Sequence, residues 1–206
     1  MADERVSHWE GVYREKDDSQ LSWHQDDPAI SLELCDVAGI DSRSSVIDIG
    51  GGTSRFAARL IERGLSDVSV LDVSEAALDR SRRHLGPEGE QIKWIAADVT
   101  SWSPDTRYDL WHDRAVFHFL VDEDDRTAYR DRLCHCVRPG GHAIIATFAL
   151  DGPKTCSGLP VARYDPDRLT KALGDRFTLV ARRSHTHNTP WGGDQSFQYS
   201  LLRVGQ

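Results

Sequence analysis

From residue 46 onward, short apolar runs alternate with stretches in which apolar residues recur at helical spacing. Short apolar runs between turn signals are typical of buried strands, and they are predicted at 46–49, 68–71, 92–96, 108–112 and 142–148. The amphipathic stretches predict helices at 54–63, 74–85, 122–137 and 165–173. This alternation favours a doubly wound α/β fold with a mostly parallel sheet.

The C-terminal part of the chain departs from this alternation. The runs 177–184 and 197–204 follow each other without a helix between them. Two such strands pair as an antiparallel hairpin. The connection at 185–193 is rich in glycine and aromatic residues. Its Trp191 and His187 either line a substrate entrance or belong to a plain hairpin connection.

The N-terminal part is predicted to be helical, with one helix over 4–17 and another over 28–38. No internal repeat or linker divides the chain. We therefore expect one domain over 1–206, in which a helical segment at 1–40 precedes a doubly wound core at 41–206.

Composition narrows the class of partner. The chain has 25 Lys and Arg against 33 Asp and Glu, a formal net charge of −8. Because nucleic-acid affinity comes largely from basic side chains, no nucleic-acid partner is expected. The longest apolar run, at 143–146, is too short to span a bilayer, and the charged N-terminus lacks a signal core. With four cysteines in no framework spacing, we expect a cytoplasmic protein without membrane association.

One glycine turn carries the most specific chemical signal. Residues 46–54 read Val-Ile-Asp-Ile-Gly-Gly-Gly-Thr-Ser, an apolar strand with Asp48 near its end and then three glycines. A dinucleotide would require a third spaced glycine where Arg55 stands, and its phosphates would be repelled by Asp48. S-adenosylmethionine instead presents an ammonium and a sulfonium, which suit Asp48. Its ribose hydroxyls suit Asp72, which ends the next strand.

The pattern Asp48-x-Gly50-x-Gly52, followed by the small Ser54, resembles the first motif of class I S-adenosylmethionine-dependent methyltransferases. The resemblance implies a Rossmann-like, seven-stranded, mostly parallel sheet with a C-terminal antiparallel hairpin, and S-adenosylmethionine as the cofactor. It also implies that Asp98 hydrogen-bonds the adenine amino group. The expected cofactor-binding residues are Trp23, Asp48, Gly50, Gly51, Gly52, Ser54, Asp72, Val73, Asp98, Val99 and Asp113.

The residues after the fourth predicted strand bear on the methyl acceptor. Asp113-Arg114-Ala115 stands where DNA and RNA amino-methyltransferases of this superfamily carry an Asn/Asp-Pro-Pro-aromatic motif for a flipped base. With residues 125–129, the stretch resembles the Asp-Arg-Gly…Asp-Arg-x-x-Tyr pattern of thiopurine and thiol/halide methyltransferases. In that group the arginine contacts a small anionic or thiol substrate. The resemblance therefore implies a small-molecule S or N acceptor.

Two other hypotheses stay open. Protein-lysine methyltransferases carry Asp-Lys-Gly at this turn, where the present chain has Arg114 and Ala115. A lysine of a protein is therefore the alternative acceptor. A chain of this kind can also bind S-adenosylmethionine without catalysing transfer.

Methyl transfer from a sulfonium is an in-line displacement in which the protein mainly aligns the nucleophile and excludes water. A base is needed only when the nucleophile arrives protonated, and the candidates are His24, His112, His118 and His187. His112 alternates away from Asp113 on its strand, which favours a packed histidine. His24 lies beside Trp23 in the N-terminal segment, which often closes as a lid in such enzymes. The predicted catalytic residues are His24, Asp113 and Arg114.

The cysteines do not predict a metal site. Cys134-His135-Cys136 falls on a predicted helix, where positions i and i+2 point in different directions. Cys156 lies in the loop after the fifth strand, near the expected substrate mouth, where a thiol would suit a soft electrophile. No second thiol can be placed beside it from the sequence.

Overall fold

The computed structural model describes residues 2–25, 27–104 and 106–205. Its strands are β1 (Ser45–Ile49), β2 (Asp67–Asp72), β3 (Ile92–Ala96), β4 (Tyr108–Arg114), β5 (Val137–Phe148), β6 (Thr155–Cys156), β7 (Leu159–Pro160), β8 (Phe177–Asn188) and β9 (Asp194–Val204). Seven of them form one sheet in the order β3-β2-β1-β4-β5-β9-β8. The first five are parallel, and β9 is antiparallel to both β5 and β8. The predicted sheet and its C-terminal hairpin are confirmed.

The helices are α1 (Ala2–Glu15), α2 (Ala29–Val37), α3 (Phe56–Glu62), α4 (Glu75–Leu85), α5 (Glu123–Cys136) and α6 (Pro166–Leu173). Side-chain caps explain where two of them begin. The Ser74 side chain accepts a hydrogen bond from the Ala77 N–H, and the Asp165 side chain accepts one from the Arg168 N–H. Within the described residues, no helix combines the length and the apolar character needed to cross a membrane.

Several strand boundaries differ from the prediction, among them the start of β5, which lies at Val137 instead of residue 142. β4 continues through Arg114, so Asp113 and Arg114 belong to the strand instead of following it. The segment predicted as a loop at 185–193 is mostly strand, because β8 extends to Asn188 and β9 begins at Asp194. β8 and β9 are longer than predicted because their backbone groups continue to pair in antiparallel register.

The sheet is buried on both faces, as a parallel sheet with helices on each side must be. One face of β1 directs Val46 toward α2 and α3, whereas the other directs Ile47 and Ile49 toward α5 and α6. These three side chains are at most 1 % exposed. Burial of one such side chain stabilises the fold by about 1.5–3 kcal/mol. The alternation also decides which face each polar residue of β4 meets.

Helix α1 lies across the carboxyl ends of the parallel strands and docks on α4. The carboxylate of Glu10 accepts hydrogen bonds from the Ser74 hydroxyl at 2.8 Å and from the Ala76 N–H at 3.2 Å. The Arg80 guanidinium donates to the carbonyl oxygen of Tyr13. A carboxylate at the N-terminus of α4 is stabilised by the helix dipole. The N-terminal segment is therefore helical, as predicted; its movement as a lid stays a prediction.

Candidate functional site

A cavity with an open volume of about 830 Å³ lies between α1 and the carboxyl ends of the central strands. This volume includes space that is open to solvent. One side, here called the strand-end wall, consists of Ile49, Gly50, Leu71, Asp72, Val73, Ala97, Asp98 and Val99. The opposite side, here called the aromatic wall, consists of Arg5, Trp9, Tyr13, Trp23, Arg114, Phe119, Phe148, Cys156 and Phe197. The cavity opens at the switch point of the sheet, where β1 lies between β2 and β4.

The glycine turn after β1 has no room for side chains. Gly50 has a φ of +62°, and a Cβ there would lie 2.1 Å from Cγ2 of Val116. A Cβ on Gly51 would lie 2.7 Å from Oδ2 of Asp48, and one on Gly52 would lie 2.6 Å from the Tyr13 hydroxyl oxygen. Glycine is therefore required at these positions for steric reasons, and the turn leaves backbone exposed to the cavity.

Asp48 is buried, and one of its two carboxylate oxygens lacks a hydrogen-bond partner in the described part of the chain. Its Oδ1 lies 2.6 Å from Nδ1 of His112, whereas its Oδ2 has no hydrogen-bond partner among the described residues. An unpaired carboxylate oxygen in a buried site is costly, so it favours a ligand that brings a donor or a positive charge. A second recess beside the cavity is lined by both Asp48 and Gly51, and that is where such a group would enter.

Asp72 ends β2 at the cavity and is 5 % exposed. Its carboxylate accepts the Ser74 N–H at 2.8 Å. Burial, with a smaller contribution from the charge of Asp48, raises the pKa of Asp72 to about 7 against the opposing effect of backbone hydrogen bonds. Hydroxyl donors from a ligand would offset the lost hydration of the ionised form. Asp72 thus fits the predicted role of binding a ribose diol.

Asp98 has partners that the sequence did not reveal. Its Oδ1 accepts the N–H and the hydroxyl of Thr100 at 2.9 and 2.7 Å. Its Oδ2 accepts Nε of Arg5 at 3.1 Å, and the same guanidinium donates to Asp125 at 2.7 Å. Arg5 therefore links α1 to the strand-end wall at the residue expected to bind adenine.

Arg114 enters the cavity from the end of β4. Its Nε donates to the Tyr199 hydroxyl at 3.1 Å, its Nη1 donates to the Trp23 carbonyl oxygen at 2.8 Å, and its carbon Cζ lies 4.7 Å from the Phe197 ring centroid. Nη2 is buried with no hydrogen-bond partner, and within the described residues Arg114 has no acidic partner. A cation held by neutral groups with a free N–H is suited to an anionic ligand.

The aromatic wall brings together side chains that lie far apart in the sequence. Trp9 makes edge contacts with Trp23 and Phe119, at centroid distances of 5.5 and 5.0 Å. Phe148 and Phe197 meet at 4.8 Å on the neighbouring strands β5 and β9. Such contacts favour a flat or apolar ligand. The spacing of these residues along the chain gave no signal that they would meet.

Residues 46–141, from β1 into β5, match the model of a protein family described as a methyltransferase domain. The matched segment contains the glycine turn and the whole strand-end wall. Residues 46–141 therefore form a methyltransferase domain, and the chain has the fold of the class I S-adenosylmethionine-dependent methyltransferases. The family expected from the glycine turn is therefore confirmed.

Individual relatives match different shares of the chain. It is 26% identical to malonyl-[acyl-carrier protein] O-methyltransferase 1 of Ilyobacter polytropus over 70% of this chain and 57% of that protein. It is also 26% identical to the eEF1A lysine and N-terminal methyltransferase of Homo sapiens, over 62% of this chain and 18% of that protein. The N-methyltransferase NodS of Bradyrhizobium japonicum, in complex with S-adenosyl-L-homocysteine, has a TM-score of 0.73 at 21% identity. That alignment covers 98% of this chain and 99% of NodS. The methyltransferase thus spans little more than half the length of the first relative, whereas its fold matches NodS almost end to end.

Asp113 was predicted to bind the cofactor and to act in catalysis, but in this structure it does not line the cavity. Its side chain is fully buried on the α5 face. It accepts the N–H groups of Val116 and Phe117 at 2.8 and 3.0 Å, and the Tyr129 hydroxyl at 2.6 Å. Burial raises the pKa of Asp113 to about 6. Asp113 fixes the turn after β4, where Ala115 adopts a φ of +75° at the position of the glycine in the related pattern.

The histidines of the methyltransferase are poorly placed as bases in the main cavity. Burial lowers the pKa of His118 to about 3, so this side chain is neutral. His187 is buried, with Nε2 2.8 Å from the carbonyl oxygen of Ser22, and burial lowers its pKa. His112 is packed, as predicted. His24 lines the second recess, together with Ser54.

Cys156 and Trp191 lie differently with respect to the cavity. Cys156 lies in the aromatic wall, and burial raises the pKa of its thiol to about 11. The described residues contain no group of three or more His, Cys, Asp or Glu side chains that could hold a metal ion. Trp191 is 65 % exposed in the turn between β8 and β9 and does not line the cavity.

The site fits S-adenosylmethionine on grounds independent of the family match. The orphaned Oδ2 of Asp48 suits the cofactor's ammonium, and the glycine cradle permits close approach to the backbone. Asp72 suits the ribose, and the apolar Val73 and Val99 line the same wall. The residues that bind this cofactor and the catalytic roles of His24 and Arg114 stay predictions.

Proposed function

We propose that this methyltransferase is an enzyme that transfers the methyl group of S-adenosylmethionine to a sulfur or nitrogen atom of a small anionic molecule. The observation that carries this proposal is Arg114, whose buried Nη2 has no partner in a cavity walled by aromatic rings. None of its contacts, namely the Tyr199 hydroxyl, the Trp23 carbonyl oxygen and the Phe197 ring, is a carboxylate, so the guanidinium is available to an anionic ligand.

The strand-end wall would hold the nucleoside of the cofactor, with Asp72 on the ribose and Asp98 on the adenine amino group, and Asp48 would bind the ammonium in the adjoining recess. When bound there, S-adenosylmethionine supplies a methyl group on a sulfonium, which leaves as a neutral thioether. Arg114 and the aromatic wall would then orient the acceptor on the other side of the cavity. The protein's own contribution is alignment and exclusion of water.

The protonation of nearby groups restricts the acceptor. Burial keeps Cys156 protonated at neutral pH, with a pKa of about 11, and keeps His118 unprotonated and enclosed. Burial also raises the pKa of Tyr13 far above its usual value. These groups are poor general bases near neutrality. The preferred acceptor is therefore one that arrives as a thiolate or as a neutral amine, and His24 in the adjoining recess is the candidate base for any other.

A protein lysine is the second candidate acceptor, supported by the likeness to a lysine methyltransferase over 62% of this chain. Arg114 argues against it, because a lysine ammonium would be repelled by a guanidinium without an acidic partner. Helix α1 also covers the cavity, through the contacts of Arg5 with Asp98 and Asp125. A small molecule is therefore preferred.

The decisive experiment incubates the protein with methyl-labelled S-adenosylmethionine and a soluble cell extract, followed by separation by size. We expect label in the small-molecule fraction. Label retained on a protein band would favour lysine methylation instead. Label in neither fraction, with cofactor binding confirmed by calorimetry, would favour a binding protein without turnover.

The role of Arg114 is tested once a labelled acceptor is isolated. Arg114→Met should raise the KM for that acceptor by about 10- to 100-fold, since a hydrogen bond to a charged group is worth about 1.5–3 kcal/mol. Cofactor affinity should change little. Arg203→Met, which alters an exposed arginine of β9, is the matched control. An equal loss of cofactor affinity in the Arg114 variant would show that this arginine is structural.

A further inference from the structure

Three buried polar side chains form a continuous chain behind the glycine turn. The Ser31 hydroxyl oxygen lies 2.8 Å from Nε2 of His112, and Nδ1 of His112 lies 2.6 Å from Oδ1 of Asp48. All three residues are at most 2 % exposed. They come from three separate elements, namely α2, β4 and β1.

The sheet brings two members of this chain together. Asp48 and His112 are direct partners in the parallel pairing of β1 with β4, and both side chains point to the α2–α3 face. The His112 ring stacks on Phe56 at a centroid distance of 3.9 Å, which fixes the plane of the imidazole. Ser31 reaches the ring from α2 above. The imidazole is thus held on its face and at both of its nitrogens.

Buried polar groups of this kind are costly unless they are satisfied. His112 is satisfied at both nitrogens, yet Asp48 is satisfied at one oxygen only. The free Oδ2 faces the glycine turn, 2.7 Å from where a Cβ of Gly51 would lie. The hydrogen-bonded series of Ser31, His112 and Asp48 therefore ends in one carboxylate oxygen, which points to the recess beside the cavity.

We propose that His112 and Ser31 are positioning residues that orient the carboxylate of Asp48 toward the ammonium of the bound cofactor. In the tautomer that we assign, Nδ1–H of His112 donates to Asp48 and Nε2 accepts a hydrogen bond from the Ser31 hydroxyl. In metal sites, a histidine ligand is similarly oriented by a hydrogen-bond partner on its other ring nitrogen. This inference rests on the proposed function, since it requires the cofactor's amino-acid part at Asp48.

The test compares two ligands by calorimetry on the full chain. S-adenosylhomocysteine carries the ammonium, whereas 5′-methylthioadenosine keeps the nucleoside and the sulfur but lacks the amino-acid part. His112→Leu should weaken S-adenosylhomocysteine by about 10- to 100-fold and 5′-methylthioadenosine by less than about twofold. His112→Asn, whose amide N–H can replace Nδ1–H, should restore most of the difference. A purely structural role of His112 would weaken both ligands together and would overturn the proposal.

Ser31→Ala keeps the test decisive if His112→Leu does not fold. It removes one hydroxyl from the far end of the chain and should weaken S-adenosylhomocysteine by about three- to tenfold, again without affecting 5′-methylthioadenosine. Equal affinities of wild type and Ser31→Ala for S-adenosylhomocysteine, with His112→Asn no better than His112→Leu, would overturn the positioning role. If the wild type binds neither ligand, the proposed function itself fails, and the two failures are thereby distinguished.

Discussion

The two walls of the cavity differ in how the chain supplies them. The strand-end wall uses residues between 49 and 99, and nearly all of them lie at or just after the end of a parallel strand. The aromatic wall draws on residues from 5 to 197, contributed by α1, β4, β5, β6 and β9 and by the connecting segments that carry Trp23 and Phe119. The residues expected to bind the cofactor therefore lie in local turns, whereas those expected to bind the acceptor are brought together by the docking of distant elements.

The largest effect on the strand-end wall is expected from a substitution in its glycine turn. Gly50→Ala should cost about 2–5 kcal/mol of unfolding free energy, because it combines a strained positive φ with overpacking against Val116. Gly39→Ala is the matched control, with a φ of +72° and open space around the added Cβ, and should cost about 1 kcal/mol. Urea unfolding without cofactor measures both. Similar losses in the two variants would show that the wall tolerates side chains.

A second prediction concerns the buried carboxylate of Asp72. Its pKa is raised to about 7 in the folded protein, against 3.8 for the unfolded chain. The folded state therefore holds its proton more tightly, so Asp72 lowers stability progressively as the pH rises from about 4 to 7, with the full penalty present above 7. Asp72→Asn should remove on the order of 2–4 kcal/mol of this pH dependence.

The measurement is urea unfolding of the cofactor-free protein at several pH values between 4.5 and 7.5. Asp113, whose pKa is raised to about 6, is present in both proteins and cancels in the comparison. Parallel stability profiles for wild type and Asp72→Asn would contradict the assignment of a raised pKa to Asp72.

The same residue should govern cofactor affinity. Asp72→Ala should weaken S-adenosylhomocysteine binding by about 1.5–3 kcal/mol, the range for hydrogen bonds to a charged group. Asp67→Ala alters the exposed acid at the opposite end of β2 and should leave affinity unchanged. Calorimetry that finds equal affinities for wild type and Asp72→Ala would remove Asp72 from the ribose site.

Asp72 and Asp113 show how much of the candidate site can be predicted from the sequence. Each lies at the end of a parallel strand, and the sequence predicted the same kind of role for both. Strand alternation already indicates that Asp113 shares the α5 face with Trp111, but the partner that decides its role, Tyr129, lies 16 residues away on α5. Fold and cofactor turn were predictable because they follow from local periodicity and strand order. The partners of Asp113 depend on tertiary packing, which one sequence does not specify.

Arg5 belongs to the aromatic wall and Asp98 to the strand-end wall, so their contact joins the two walls. Removing this contact tests whether the two walls act separately. If Arg5 latches α1 over the cofactor, Arg5→Ala should speed S-adenosylhomocysteine dissociation about fivefold, since a half-buried ion pair is worth about 1 kcal/mol. Trp9 and Trp23 line the cavity, so stopped-flow tryptophan fluorescence can follow the release. Arg14→Ala removes an exposed arginine of the same helix and is the control. Slower dissociation and tighter binding in Arg5→Ala would instead mean that Arg5 competes with adenine for Asp98, and that α1 closes the cavity against the cofactor.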